Sequence, residues 1–293
     1  MNEKDFLAER FEESRSHLRA VAYRMLGSMS EAEDAVQESW LRLSRSDAGA
    51  IENLGGWLTT VVARVCLDML RSRKSRSEEP LDSNLARSIA SGEGPGDPER
   101  EAVMADSVGL ALLVVLDTLN PAERLAFVLH DLFALSFEEI GEIVGRTAAA
   151  TRQLASRARR RVRGPGSIPQ ADLKRQRKVA DSFLAALRAA DFEGLVAVLD
   201  PDVVVRIDSS AVALGAPTEV RGARNWAKGA IAFARGARFT QTALVDGTVG
   251  VVVAPRGRLF RVLKFTIVGD KIVNAEVIAD PDRLRQLTIG VLD

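Results

Sequence analysis

Apolar residues recur at spacings of three and four from Lys4 to about Arg76, the rhythm of helices that bury one face. Phe6, Phe11, Leu18, Val21, Ala22, Met25 and Leu26 form one stripe, which Gly27 ends. Ser30, with Glu33 three residues later, reads as a capping box opening the next helix, EAEDAVQESWLRLSR. After a polar turn, SDAGAIENLGG, another helix starts at Trp57 and runs through WLTTVVARVCLDMLRSRKSR. Its β-branched start keeps helical spacing at Leu58, Val61, Val62, Val65, Leu67 and Leu70. The rhythm is lost over 77–107, where Pro80, Pro95, Pro98 and several glycines predict a linker. It returns in SVGLALLVVLDTL, in PAERLAFVLHDLFA behind the Asn120-Pro121 start signal, in SFEEIGEIVG and in TAAATRQLASRARRRVR. Beyond GPGSIPQ, one more helix (ADLKRQRKVADSFLAALRAAD) leads into short alternating runs: VVVRID, ARFTQTALVDG, VGVVVAPRG, RLFRVLKFTIVGD and KIVNAEVIAD. Helices followed by a strand-rich meander predict a separate α+β domain.

Charge changes this picture more than composition does. The 293 residues suffice for two or three domains and carry no net charge, yet the charges fall in blocks. Eleven Lys or Arg and one acid lie between Arg146 and Lys178, whereas seven acids and two arginines lie between Glu78 and Glu101. Separate surfaces with separate partners follow. The one cysteine, Cys66, excludes an internal disulfide and fits a reducing compartment. The charged start is no signal peptide, and no apolar run approaches the ~20 residues of a membrane span, so a cytoplasmic location is expected. With His17 and His130 as the only histidines, neither a catalytic triad nor a metal site is expected, and no cofactor is implied.

The segment SFEEIGEIVGRTAAATRQLASRARRRV has the order of a helix-turn-helix. Ser136 and Glu139 box the first helix, Gly145 sits at the turn, and Thr147 caps the second helix. Thr151, Arg152, Ser156 and Arg157 are the expected groove-facing set; Arg159, Arg160, Arg161 and Arg163 suit phosphates. The helix EAEDAVQESWLRL has the opposite character. Asp34, Gln37, Glu38, Trp40 and Leu41 give it an acidic face with an aromatic residue near its end, suited to a protein partner rather than DNA. The basic helix that follows holds Arg64, Arg71, Arg73, Lys74 and Arg76.

With these motifs in order, residues 5–163 resemble the RNA polymerase sigma factors of the extracytoplasmic-function type. DAVQESWLRL is similar to their core-polymerase-binding helix, WLTTVVARVCLDMLRSR to the helix that reads and melts the −10 element, and LNPAERLAFVLHDLFALSFEEIGEIVGRTAAATRQLASRARR to the domain that reads the −35 element. The resemblance implies −10 contacts from Asn53, Trp57, Arg64, Asp68, Arg71 and Arg73. Asp68 takes the position facing a flipped base, where a carboxylate suits an exocyclic amine such as that of cytosine. It implies −35 contacts from Thr147, Thr151, Arg152, Ser156, Arg157 and Arg160. The linker acids Glu78, Glu79, Asp82, Glu93, Asp97 and Glu99 resemble a segment threading the polymerase cleft; a solvated tether is the other reading of the same composition.

The remaining chain, with AADFEGLVAVLDPDVVVRID and GARNWAKGAIAFAR, resembles a SnoaL-like domain, a cone-shaped α+β barrel. The fold class expected is thus multidomain: two all-α sigma domains, at 1–76 (region 2) and 108–164 (region 4), joined by an acidic linker at 77–107, and a SnoaL-like domain at 165–293. Trp226, Phe233, Phe239, Phe260 and Phe265 are expected in or around the cone interior. Asp208 and Asp246 are its candidate carboxylates, but no histidine lies in this domain, so catalysis is not expected. DSSAVALGAPTEVRG departs from the glycine-rich loop with lysine usual in the sigma subgroup. Partners implied are core RNA polymerase, promoter DNA and the C-terminal domain folding back on the sigma domains to regulate them, with a small-molecule ligand left open. A one-component helix-turn-helix regulator with a ligand-sensing domain is the competing reading, and a SnoaL-type cyclase or isomerase fusion a third.

Overall fold

The structure is a computed structural model that describes residues 3–46, 51–76, 109–164, 169–212 and 217–292. The acidic linker expected over 77–107 and the hinge at Pro165 lie outside the described residues. The described chain divides into two compact units, residues up to 76 with Leu116–Arg160, and residues 109–115 with Arg161 onward.

In the first unit, α1 (Glu3–Leu26), α2 (Met29–Leu43) and α3 (Leu54–Arg76) form a three-helix bundle. Leu18, Val21 and Met25 meet Ala35, Val36, Leu58, Val62 and Leu67 in its core, each at most 2% exposed. Burying one such Leu or Met side chain is worth about 1.5–3 kcal/mol, so the apolar stripe holds the bundle together. Gly27 ends α1 with φ 73°, as its position in the stripe predicts. The start of α2 corrects the expected Ser30–Glu33 capping box. The N-cap is Ser28, whose side chain caps nothing, and Glu33 instead bridges to Arg19 at 3.4 Å and Arg15 at 3.7 Å on α1. A carboxylate with two guanidiniums in reach pairs with them rather than with its own helix end.

Among the described residues, α4 (Leu110–Thr118), α5 (Pro121–Phe127), α6 (Phe137–Val144) and α7 (Ala148–Arg163) come next. Asn120 caps α5, its Oδ1 accepting from Glu123 N at 2.9 Å. The expected single helix PAERLAFVLHDLFA instead passes into a π-helical turn, Val128–Leu132, and stops where Ala134 takes φ 58°. His130 bonds the Leu135 carbonyl through Nδ1 at 2.9 Å and stacks on Phe137 at 3.9 Å, fixing the turn that leads into α6.

A buried cation ties α5 to the bundle. Arg124 is 2% exposed; its Nε and Nη2 each donate to the Arg24 carbonyl at 3.3 Å, and its Nη1 faces Asp117 at 3.5 Å. Arg73 donates to the neighbouring Leu26 carbonyl at 3.1 Å. Two guanidiniums therefore satisfy the end carbonyls of α1 and meet the negative end of its dipole. Burial pushes the Arg124 pKa down to about 10, with Asp117 opposing the shift, so the group stays charged at neutral pH. Burial likewise pushes the Cys66 thiol up to about 12, leaving it inert.

The second unit is built on a seven-stranded sheet in the order β2-β1-β6-β5-β4-β3-β7. Its strands are β1 (Leu199–Ile207), β2 (Glu219–Arg221), β3 (Thr240–Val245), β4 (Thr248–Val253), β5 (Arg261–Val268), β6 (Lys271–Ile278) and β7 (Ile289–Gly290). Among the described strands only β1 and β6 pair in parallel, and the register shifts along β1 against β6 and between β5 and β6. Alternation along β5 sends Phe265 to one face and Val262 to the other.

On the first face lie α8 (Gln170–Arg188), α9 (Phe192–Val198) and α10 (Ala223–Ile231). Phe183 stacks on Trp226 at 5.2 Å and meets Phe265 edge-on at 5.3 Å, filling the space between helices and sheet. Trp226, Phe239 and Phe265 are buried as expected, and Phe260 is half-buried. Phe233 is a correction: it follows the end of α10 and is 57% exposed.

The other face receives part of α4. Ala111, Val114 and Val115 pack with Ala243, Val245, Val252, Val262 and Ile278, and the Ala111 N–H donates to Gln241 Oε1 at 2.8 Å. The end of α7 is fastened there too: Val291 N donates to Val162 O at 2.8 Å. A Cβ on Gly290 would lie 2.9 Å from the Gly164 Cα, so two glycines allow these backbones to touch. Packing thus divides the chain inside α4 and near the end of α7, whereas the composition changes at 108 and 165.

Candidate nucleic-acid interface

The turn between α6 and α7 is built as the motif requires. Ser136 accepts from Glu139 N at 3.2 Å and Glu139 accepts from Ser136 N at 2.8 Å, closing the expected box. Gly145 ends α6 at φ 69°, and a Cβ on Gly141 would lie 2.6 Å from the Arg146 carbonyl, so the tight turn needs both glycines. Thr147 caps α7, accepting from Ala150 N at 3.2 Å.

Helical geometry then sorts the candidates on α7. Thr151, Ala155 and Ala158 are buried. Thr151, expected to face the groove, is therefore a correction: it is fully buried, and its hydroxyl donates to the Thr147 carbonyl at 3.0 Å. At 100° per residue the direction opposite these three passes through Gln153 and Arg160, flanked by Ser156 and Arg157. All four are exposed. Gln153 was not among the expected residues, although a glutamine early in such a helix suits bidentate pairing with adenine. Arg152 lies at the edge of the face with its guanidinium 5.0 Å from the Phe137 ring. Arg157 binds the buried Glu123 at 2.9 Å and Arg159 binds Asp131 at 2.6 Å, so both have structural partners on neighbouring segments.

On α3, Trp57, Arg64, Asp68 and Arg71 fall on one face at steps of seven, four and three. Arg64, Asp68 and Arg71 are exposed and Trp57 half-buried. Asn53 is the cap of this helix, its Oδ1 accepting from Gly56 N at 3.0 Å. Arg73 is the exception among the expected contacts. Two residues beyond Arg71, it points about 200° away and is held by Glu31 and the Leu26 carbonyl. It is a bundle tie rather than a member of the exposed face. Arg64 also reaches the Glu142 carbonyl of α6 at 3.5 Å.

On α2, Asp34, Gln37, Glu38 and Leu41 form a stripe at steps of three, one and three, with Glu38 paired to Arg42 at 2.9 Å. Leu41 is 38% exposed. Trp40 points elsewhere: it is half-buried with its ring 5.1 Å from Phe11 of α1. Its place beside the stripe is fixed by that packing.

The carboxylates of the second unit are fastened. Asp208 accepts from Ala279 N at 2.9 Å and Asp280 N at 3.1 Å, and pairs with Arg283 of α11 (Pro281–Gln286). Partial burial would raise its pKa, but those bonds and Arg283 outweigh it and hold it below the ordinary value of 3.8. Asp246, in a left-handed turn, binds Lys264 at 3.0 Å and Thr288 N at 3.0 Å. A depressed native pKa stabilises the fold above the unfolded value and is lost as pH falls through the native one. Asp208→Asn is therefore expected to lower the melting temperature near neutral pH by a few degrees, with the difference from the parent closing below about pH 4. Melting curves recorded between neutral and strongly acidic pH check this; a constant difference at every pH would exclude the charge as the cause.

Comparison with known proteins bears on this arrangement of surfaces. Sigma-70 region 2 matches residues 10–76 and Sigma-70 region 4 matches residues 109–162. The ECF RNA polymerase sigma factor SigJ of Mycobacterium tuberculosis is 38% identical over 290 residues, covering 93% of this chain and 91% of that protein. The chain belongs to the ECF RNA polymerase sigma factor family. The probable ECF sigma factor SigI of the same species is 33% identical, with 98% of each chain covered, so the likeness runs through the C-terminal unit of this sigma factor as well. The crystal structure of M. tuberculosis SigJ aligns over 95% of this chain and 98% of that one at 32% identity, with a TM-score of 0.45. Among the described residues of the sigma factor, no helix is long and apolar enough to cross a membrane.

Proposed function

We propose that this sigma factor binds core RNA polymerase through the α2 stripe, reads a −10 element with the exposed face of α3, and reads a −35 element with Gln153, Ser156, Arg157 and Arg160 of α7. The observation that supports this most directly is the exposure of three helix faces of different character, on segments that match the sigma regions. Asp68 lies at the centre of the α3 face, where it would accept a hydrogen bond from the exocyclic amine of an extruded base. The chain acts in the cytoplasm without catalysing a reaction of its own. Core RNA polymerase and promoter DNA are its partners.

The two elements lie about 25 base pairs apart, or ~85 Å along B-form DNA. Arg64 of α3 is 3.5 Å from a carbonyl of α6. Reading both elements at once therefore requires the bundle and the helix-turn-helix to separate on the polymerase. The C-terminal unit restrains this step, because its core takes in Ala111, Val114 and Val115 and Val291, just past its last strand, binds Val162. It holds both ends of region 4 and so sets how easily that region moves. A small ligand has no part in this reading; Phe183, Trp226 and Phe265 pack on one another in the core of the C-terminal unit.

Reconstituted transcription tests the proposal. Added core polymerase is expected to initiate at a subset of promoters only with this chain present. Asp34→Lys with Leu41→Asp should weaken core binding at least tenfold while leaving the fold intact. Gln153→Ala should instead relax selection of one −35 base pair, worth about 1–3 kcal/mol. Promoter-independent behaviour, or core binding indifferent to the α2 changes, would sink the reading.

A further inference from the structure

A basic and aromatic surface of the C-terminal unit lies outside both sigma regions. Residues 233–261 carry five arginines and one acid, Asp246, which is bound to Lys264. Three of those arginines, Arg238, Arg258 and Arg261, have described side chains and no acidic partner among the described residues. They are interleaved with rings. The Arg261 guanidinium lies 5.4 Å from the Phe233 ring and 5.6 Å from the Phe260 ring, and that of Arg238 lies 4.7 Å from the Phe239 ring.

The fold brings these segments together and holds them there. Ala254 N donates to Phe239 O at 2.9 Å, and Phe260 N donates to Val253 O at 2.9 Å. Arg188, at the end of α8, donates to the Thr240 carbonyl at 2.6 Å and to the Ala237 carbonyl at 3.3 Å. Backbone carbonyls anchor this side chain.

Two features point to a ligand rather than to a solvated basic face. Phe233 is 57% exposed, an unfavourable place for a phenyl ring, with the Arg261 guanidinium against it. Arg261 keeps its Nε buried with no hydrogen-bond partner, a cost that a simple surface arginine avoids. Burial also lowers its pKa. An acidic protein partner would use the guanidiniums but not the ring faces. Unstacked bases use the rings, and phosphates use the guanidiniums, whose flat faces can stack as well.

We propose that Phe233, Arg238, Arg258 and Arg261 form a binding surface for single-stranded nucleic acid, separate from the two sigma regions. Phe233 supplies a stacking face, Arg238 and Arg258 contact phosphates, and Arg261 is held between rings as a fixed cation. A sigma factor that opens DNA produces unpaired strand, which this surface is suited to receive.

Fluorescence anisotropy of the full chain with labelled oligothymidylate of about twenty nucleotides tests this, titrated between about 50 and 200 mM salt. Arg238→Glu combined with Arg258→Glu is expected to weaken binding at least tenfold and to reduce the salt slope by about 1.4, or 0.7 for each lost phosphate contact. Phe233→Ala is expected to weaken binding about tenfold with the slope unchanged, because stacking releases no counterion. All three side chains are exposed, and unchanged melting verifies folding. Unchanged affinity in these variants overturns the proposal, as does a loss reproduced entirely by Arg160→Glu on α7. It is also overturned if a peptide of residues 77–107 binds this surface while oligothymidylate does not, which would make it a dock for an acidic segment. Core-polymerase affinity, measured on the same variants, should stay at the parent level; failure of polymerase binding by the parent would strike the promoter reading and not this one.

Discussion

Arg124→Ala is expected to lower the unfolding free energy of the first unit by about 3–5 kcal/mol, the scale for removing one member of a buried, hydrogen-bonded charge system. The side chain is 2% exposed and supplies two of the donors at the end of α1. Its loss leaves the Arg24 carbonyl buried without those donors and opens a cavity that the rigid bundle fills poorly. A competing effect works in the other direction. Burial and the nearby Arg73 both disfavour the Arg124 charge, as its lowered pKa of about 10 records, so removing the charge recovers part of the cost. Arg124→Met separates the two effects, because it keeps most of the volume while discarding charge and donors. It is expected to lose less than half of what the alanine variant loses. Urea unfolding followed by far-UV circular dichroism measures both. Equal losses would assign the effect to the carbonyl bonds, and no loss in either would show that the tie is idle. Polymerase affinity gives an independent readout: a residue that holds the closed arrangement loses stability without losing affinity when replaced.

Much of this architecture is written locally in the chain. Gly27, Asn120-Pro121, the Ser136–Glu139 box and Gly145 act within one turn of backbone, and each ends or starts a helix where a local reading places it. The exposed helix faces are legible to the extent that helical angles are. Asp34, Gln37 and Leu41 share a side by spacing alone, as do Arg64, Asp68 and Arg71. The misplacements arise where identity was weighed ahead of angle. Arg73 is basic like Arg71 but points to the opposite side, and Thr151 is polar yet sits on the buried side with Ala155 and Ala158. Gln153, exposed on the same side as Arg160, was passed over for the same reason in reverse, since it carries no charge to draw notice. Glu33 and the π-helical turn after Phe127 depend on partners distant in sequence or on packing, which no short-range signal contains. Phe233 reads as core by composition, and only its place after the end of α10 exposes it.

The least legible feature is that α4 serves two structures. Its sequence, LALLVVLDT, is apolar almost all round, which is compatible with burial against anything. The Ala111–Gln241 bond spans 130 residues and has no counterpart in local pattern. Family boundaries at 109 and 162 accordingly enclose residues that the C-terminal core has recruited. A chain cut at Pro165 thus loses more than the sheet domain. It exposes Ala111, Val114 and Val115 and removes the acceptor of Ala111 N, so altered transcription by such a fragment would not separate lost control from a damaged region 4.

Val114→Asp tests that interdependence with the whole chain present. Val114 is 2% exposed and shares an apolar cluster with Ala243, Val252 and Ile278. Burying the ionised group there costs several kcal/mol, and neutralising it by an upward pKa shift still leaves an unpaired polar group in an apolar layer. The expected result is loss of about 4 kcal/mol or more, relieved only if α4 leaves the sheet. Val114→Ala, which removes two methyl groups without adding charge, should cost about 1–2.5 kcal/mol. Amide hydrogen exchange locates the damage. In the aspartate variant the strands β3, β4 and β5 should lose protection although the change lies on a helix of region 4, because the layer they bury has been breached. Protection confined to its parental values in those strands, with loss only in α4–α7, would mean that region 4 folds without the sheet. The C-terminal unit would then be a separable tether, and the proposed restraint of region 4 through its two fastened ends would fall.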